Sequence, residues 1–296
     1  MSSSRVWLIT GTSSGFGLEM ARYALSKGER VVATLRRPEV LKEFASQYSS
    51  TQLLVLKLDV TKPEEIKDAF AKAKETFGRV DVVFNNAGHT VNGEAEAIPD
   101  EPARNLLEVD FWGAVHVSQE AIRFFREENS PQGGRLIQNS ALIGLVTFPT
   151  AAFYAAAKHA LEAFTETLGK EVNPTWNIKI SSVLAGSFAT DIGKSLQMMP
   201  QHPAYADESN ATTMARKMLN QMLSMGTDKE AAKMLGLGDP AKGVEKIYEL
   251  SRLPNPPLRL LLGKDANHMF REWLAQVTKE IDEYASWSDD VAFKEE

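Results

Sequence analysis

The sequence predicts an α/β fold in which a doubly wound parallel sheet carries helices on both faces. Three observations predict it: short apolar runs recur, amphipathic stretches separate them, and a glycine-rich turn follows the first run. The runs are Val6–Thr10, Arg30–Leu35, Leu53–Leu58, Val80–Phe84, Arg135–Ser140, Ile178–Leu184 and Leu258–Leu262. Most are apolar almost throughout, as strands covered on both faces are. The stretches Pro63–Phe77 and Arg104–Glu127 between them have helical periodicity. Thr61-Lys62-Pro63-Glu64 reads as a capping box that opens a helix.

No repeat or linker divides the 296 residues, so residues 1–296 are expected to form one domain. Residues 195–240 break the rhythm and predict a helical insertion before the last strand. Seven of the ten methionines fall between 198 and 234. Met214, Met218, Met222 and Met225 make a stripe at helical spacing. The stripe reads as helix packing, as a pliable apolar lid over a bulky substrate, or as both.

The composition excludes several functions. Hydrophobic residues make up 43% of the chain, enough for a large core, and charged residues 24%. A net charge of −6 argues against nucleic acid or an anionic membrane as the main partner. The chain has no cysteine, which removes disulfides, thiolate chemistry and Cys-based zinc sites, and no metal is expected. The N-terminus shows no signal-peptide pattern and no apolar run is long enough to span a bilayer, so a cytoplasmic location is expected.

Thr10-Gly11-Thr12-Ser13-Ser14-Gly15-Phe16-Gly17 follows the first strand and opens a helix. Glycines let backbone approach a ligand closely, and a helix N-terminus offers free N–H groups to a pyrophosphate. Leu35-Arg36-Arg37 ends the second strand, where an NAD site would carry an acid. Two guanidinium groups without an acid suit a 2′-phosphate, hence NADP(H). Asp59, in Leu58-Asp59-Val60, falls where an adenine edge would lie. Asn85-Asn86-Ala87-Gly88 closes the fourth strand, where Asn side chains can tie strand ends together and the small pair permits close approach.

Tyr154 and Lys158 stand four apart in an Ala-rich stretch, which places them on one helix face. A cation beside a phenol makes the phenol a usable acid or base.

In this order and spacing, TGTSSGFG, LDV, NNAG and YAAAK closely resemble the short-chain dehydrogenase/reductase family, over almost the whole chain. RLLLGKDA at 259–266 and FWGAVHVSQEAIRFFRE look like a fungal branch of it. The resemblance implies a single Rossmann-type domain, usually dimeric or tetrameric, that binds NAD(P) and transfers hydride to or from a carbonyl carbon. It implies that Tyr154 protonates a ketone oxygen or deprotonates an alcohol. Lys158 would lower the phenol pKa and hold the nicotinamide ribose. Ala185-Gly186-Ser187-Phe188-Ala189-Thr190 resembles the loop that meets the nicotinamide carboxamide, with Ala185 in place of Pro and Thr190 on the usual Thr.

Two positions depart from the family pattern. Counting back from Gly144, Ala141 falls on the usual catalytic Ser, and Ser140 is one residue out of register. If Ser140 is still in the strand, its side chain points to the opposite face. Asp110 falls where the family places Asn; a carboxylate near Lys158 would raise the phenol pKa or serve as an acid or base itself. His89 directly follows NNAG and could donate or shuttle a proton, although a solvent-facing loop His is the plainer expectation. Thr147, Thr150, Ser187 and Thr190 also carry hydroxyls near the expected pocket.

The first expectation is therefore an NADP(H)-dependent ketoreductase or alcohol dehydrogenase for a hydrophobic small molecule, with secondary metabolism as its setting and a homodimer or homotetramer as its assembly. The second is an enzyme of the same fold that binds NADP(H) but isomerises, cyclises or dehydrates, using Asp110, His89 and Tyr154. The third is a catalytically weak ligand-binding or regulatory protein.

Overall fold

Seven parallel strands form the central sheet in the order β3-β2-β1-β4-β6-β7-β9. The structure, a computed structural model, describes residues 4–190, 196–225 and 228–293. In chain order the strands are β1 (Val6–Thr10), β2 (Arg30–Leu35), β3 (Leu53–Lys57), β4 (Val82–Asn85), β5 (Thr90–Asn92), β6 (Gly134–Asn139), β7 (Ile178–Ala185), β8 (Leu196–Met198) and β9 (Arg259–Leu262). The helices are α1 (Gly15–Ser26), α2 (Lys42–Ala45), α3 (Pro63–Phe77), α4 (Asp100–Leu107), α5 (Ala114–Glu127), α6 (Ala152–Glu171), α7 (Ala211–Met225), α8 (Lys229–Met234), α9 (Pro240–Leu250) and α10 (Lys264–Tyr284).

The chain builds outward from β1 through β2 to β3, then returns to place β4 on the other side of β1. This reversal opens a crevice beyond the carboxyl ends of β1 and β4, where open α/β sheets bind ligands. All five residues of β1 are buried. Trp7 and Ile9 pack on one face with Met20, Phe84 and Val244, while Val6 and Leu8 pack on the other with Ile66, Phe70 and Phe124. This two-sided burial explains the continuous apolar runs. Helix α3 buries Ile66, Ala69, Phe70, Ala73 and Phe77, one stripe at helical spacing. Phe70 meets Phe124 at a 5.4 Å ring separation. Truncating such a ring to Ala costs about 3–5 kcal/mol.

The observed strands of the main sheet lie within two residues of the expected ones. The largest shift is in β4, which starts at Val82; Val80 N–H donates to the Asn129 side chain and not to a strand neighbour. The capping box is not formed. Pro63 takes the first helical position of α3 and moves the cap to Lys62, which has no side-chain acceptor. The Thr61 hydroxyl donates to Asp59 Oδ1 at 2.8 Å, and Glu65 accepts the Asp59 N–H at 2.7 Å.

The expected helix over Arg104–Glu127 runs from Asp100 and contains a wide π-helical turn at Glu108–Gly113. Such turns re-aim side chains at functional sites. Here the turn carries Asp110 inward, to 1% exposure.

Residues 196–240 are not wholly helical. β8 pairs in parallel with β5 in a separate two-stranded sheet, Thr90 opposite Leu196 and Asn92 opposite Met198. Met214 and Met218 of the methionine stripe are not packed as a buried helix face: they are 55% and 66% exposed, and α7 buries Thr213 and Arg216 on another face. The Met225 side chain lies outside the described residues. No helix among the described residues is long and apolar enough to cross a membrane.

Candidate active site

A cleft of about 730 Å³ opens at the reversal of strand order. One wall is the turn between β1 and α1, where Gly11, Ser13, Ser14, Gly15 and Phe16 line it. Gly11 has φ +70°, and a Cβ there would come within 2.8 Å of the Ala87 Cα. Gly17 packs the helix onto the strand: its Cβ would meet the Gly11 carbonyl at 2.4 Å. The cap residue Ser14 makes no side-chain capping hydrogen bond among the described residues, and the first turn of α1 contains no acid. The N–H groups there are free for an anion, which fits a pyrophosphate.

The carboxyl ends of the strands are tied together beneath the cleft. Asn86 Nδ2 donates to the Thr10 carbonyl at 2.8 Å, and Asn139 Nδ2 donates to Asn86 Oδ1 at 2.8 Å. Asn85 Nδ2 bridges to Gln138 at 2.8 Å and to the Ala114 carbonyl at 2.9 Å. Ala87 and Gly88 line the cleft above these ties. Arg36 and Arg37 line its far end and are exposed, beside Asp59 and Val60. Asp59 therefore both faces the cleft and folds the turn into α3.

Helix α6 brings Tyr154 and Lys158 to the floor. Its start is fixed by Thr150, a β-branched residue at φ 71°, whose carbonyl accepts the Gly93 N–H at 2.8 Å. That backbone conformation is costly and persists only where neighbours hold it. Lys158 Nζ lies 5.7 Å from the Tyr154 ring centre and donates to the Asn139 carbonyl at 3.3 Å. It also lies 3.3 Å from Asp110 Oδ2. His89 donates its backbone N–H to Asp110 Oδ1 at 2.9 Å, and its Nδ1 is 3.5 Å from the same oxygen. The His89 side chain, in the loop between β4 and β5, is 22% exposed and forms one edge of a His89–Asp110–Lys158 cluster.

Burial raises the Tyr154 pKa; Lys158 opposes this, and Asp110 adds to it. Burial alone would lower the Lys158 pKa, but Asp110, with Tyr154 and Glu162, together outweigh it and the net shift is upward.

Ser140 lies just beyond the end of β6, so strand alternation does not set its direction. It is among the residues lining the cleft. Its Oγ is buried without a hydrogen-bond partner among the described residues and sits against Gly144. Ala141 and Tyr154 both pack against the small cluster of Ile143, Ala151 and Ala155.

Four residues expected to touch a cofactor do not line the cleft. Thr12 is buried and donates to the Thr34 carbonyl at 3.1 Å. Gly17 serves helix packing, Gly186 abuts the Asp265 carboxylate, and Phe188 stacks edge-on against Phe16 at 5.0 Å. Of the spare hydroxyls, Thr190 lines the cleft, while Thr147, Thr150 and Ser187 do not. The structure adds Thr90, Asn105, Val109, Leu196 and Gln197 to the lining. Thr90, Leu196 and Gln197 lie on β5 and β8, three-residue strands too short to leave a periodic signal.

The family described as short chain dehydrogenase matches residues 5–201. An uncharacterized oxidoreductase of Schizosaccharomyces pombe is 32% identical, over 96% of this chain and 91% of the relative. The 3-ketodihydrosphingosine reductase of Bacteroides thetaiotaomicron is 31% identical, over 91% of this chain and 93% of the relative. A solved short-chain dehydrogenase from Streptomyces avermitilis superposes with a TM-score of 0.85 at 31% identity, over 99% of this chain and 100% of that one. The glycine turn, the tied strand ends and the Tyr154–Lys158 pair thus sit on a fold and a sequence shared along nearly the full length, and the chain belongs to the short-chain dehydrogenase/reductase family of enzymes.

Proposed function

We propose that the protein is an NADP(H)-dependent oxidoreductase that reduces a ketone, or oxidises an alcohol, on a hydrophobic small molecule. The observation that carries this reading is the placement of Tyr154 and Lys158 in the same cleft as the free N-terminus of α1. Arg36 and Arg37 at the far end, with Leu35 in place of an acid, support a 2′-phosphate and hence NADP(H). Ser13, Ser14, Gly15 and Phe16 would hold the pyrophosphate, with Asn86, Ala87 and Gly88 facing the remainder of the cofactor. Thr190 extends this wall. The keto substrate named for the Bacteroides relative supports a carbonyl substrate on an apolar chain.

When bound, NADP(H) supplies the two-electron reduction of the carbonyl carbon. Tyr154 gives its phenolic proton to the carbonyl oxygen. Its raised pKa keeps that proton in place at neutral pH. Lys158 keeps a positive charge beside the phenolate that forms. Residues 195–240 act in this reading as a lid, since Leu196 and Gln197 already form part of the cleft wall.

One observation favours a second reading. Asp110 is almost fully buried between Lys158 and His89, and Ala141 carries no hydroxyl. A buried carboxylate beside an imidazole can move protons on a substrate without any redox step. Incubation with NADPH and a panel of carbonyl compounds separates the two. The reductase reading expects loss of the reduced-cofactor absorbance in step with a product two mass units heavier. Product formed with no NADPH consumed would favour the second.

A further inference from the structure

Glu94 and Arg216 form a buried ion pair that none of the chemistry above uses. Glu94 is 1% exposed and follows β5; Arg216 is 7% exposed and comes from α7, more than a hundred residues later. The guanidinium is bidentate: Nε donates to Oε1 at 2.7 Å and Nη2 to Oε2 at 2.6 Å. Arg216 Nη1 also donates to the Met199 carbonyl at 2.8 Å, just beyond β8. The backbone closes the loop, because Met199 N–H donates to the Asn92 carbonyl at 2.8 Å. Met199 packs with Val91, Ile98 and Leu106, and Phe153 and Tyr154 lie against the same cluster.

We propose that Glu94 and Arg216 are a positioning pair: they latch β8 onto β5 and so hold Leu196 and Gln197 as the substrate-side wall of the cleft. A parallel ladder of three residues is too short to be stable by itself. It needs an anchor at its end, and the planar Arg fork supplies one with fixed geometry. The pair touches neither the α1 turn nor Lys158. It acts on the wall and leaves cofactor binding alone. The proposal rests on the reductase reading only for its kinetic readout.

The decisive variant is Glu94→Leu/Arg216→Met, because apolar replacement of both partners leaves no buried charge and tends to preserve stability. Glu94→Gln accompanies it as the conservative single change. Amide hydrogen exchange of residues 196–199 is measured with that of β6 as internal reference, together with NADPH affinity. Kinetics use 9,10-phenanthrenequinone as the probe carbonyl. The latch predicts exchange at 196–199 faster by about tenfold or more, with β6 unchanged. NADPH affinity stays within about twofold, while KM for the quinone rises about tenfold and kcat changes little. Protection of 196–199 as in the wild type would overturn the proposal. So would equal loss of protection in β6, or a fall in kcat at unchanged KM. Absence of quinone reduction by the wild type counts against the reductase reading, and the exchange result then decides the latch by itself.

Discussion

The Lys158 ammonium lies 3.3 Å from Asp110 Oδ2, and both side chains are at most 5% exposed. Oδ2 makes no hydrogen bond of good geometry among the described residues, so the contact is mainly Coulombic. It ties the Tyr154–Lys158 pair of α6 to the π-helical turn before α5. A neutral side chain at 110 would leave Lys158 to act on Tyr154 alone.

Asp110→Asn tests that coupling. The carboxylate raises the Tyr154 pKa, so its removal lowers it. Reduction needs the protonated phenol, so its rate falls as pH rises through that pKa. The alkaline limb of the pH–rate profile is expected to move to lower pH, with activity at neutral pH kept or improved. Collapse of turnover at every pH would instead place the proton transfer on Asp110.

Tyr154→Phe keeps the ring and removes the acid. Turnover is expected to fall by about 10²–10⁴ while NADPH affinity and thermal midpoint hold. Full turnover in this variant would reduce Tyr154 to a packing residue.

Arg36→Ala addresses the cofactor. A charge-assisted contact to a phosphate contributes about 1.5–3 kcal/mol. Its loss should weaken NADP binding by about 10–100-fold and leave NAD binding almost untouched. Titration of both cofactors against wild type and variant checks this. Tighter NAD binding in the wild type, unchanged in the variant, would remove the basis for NADP preference.

The Glu94–Arg216 pair gives a pH prediction of its own. The Arg216 hydrogen bonds hold the Glu94 carboxyl at a pKa of about 2, below its ordinary 4.5. A depressed carboxylate contributes stability that is fully present above the unfolded pKa and is lost as pH falls through the folded one. Protection at 196–199, corrected for intrinsic exchange, should therefore stay level from neutrality down to about pH 4.5 and decay towards pH 2. Loss of protection near pH 6 would place the switch on a group other than Glu94.

What was legible in the sequence followed the range of the physics. The strands of the main sheet are apolar on both faces, so their composition marks them without any partner in view. The glycine turn and the Tyr154–Lys158 spacing are local, and local geometry places them. Thr12 and Gly186 share the motifs but face the sheet and Asp265, because a motif does not say which way each member points. The β5–β8 ladder and the Glu94–Arg216 pair join segments about a hundred residues apart, and neither half carries a signal of its own. Asp110 was visible as an unusual residue, but its contact with His89 depends on the π-helical turn, which has no sequence signature here.

The last prediction concerns the missing hydroxyl. Ala141 and Tyr154 pack against the same cluster, and Ser140 Oγ, against Gly144, has no partner among the described residues. Ser140 therefore makes no contact that shows it replacing a hydroxyl at 141. In Ala141→Ser the new hydroxyl would lie on the Tyr154 side of this turn. If the enzyme is a reductase lacking one donor to the substrate oxygen, ketone reduction should rise by up to about a hundredfold. KM should move less than kcat, because the added donor is strongest towards the oxygen as charge develops on it. If the site instead performs proton transfer through Asp110 and His89, the added hydroxyl has no partner in the reaction. A buried hydroxyl without a partner costs about 1–3 kcal/mol, so stability would fall with no gain in reduction. Steady-state reduction of a ketone panel, read beside the thermal midpoint, separates the two results. Unchanged reduction together with a lowered midpoint would remove the missing-donor account of Ala141.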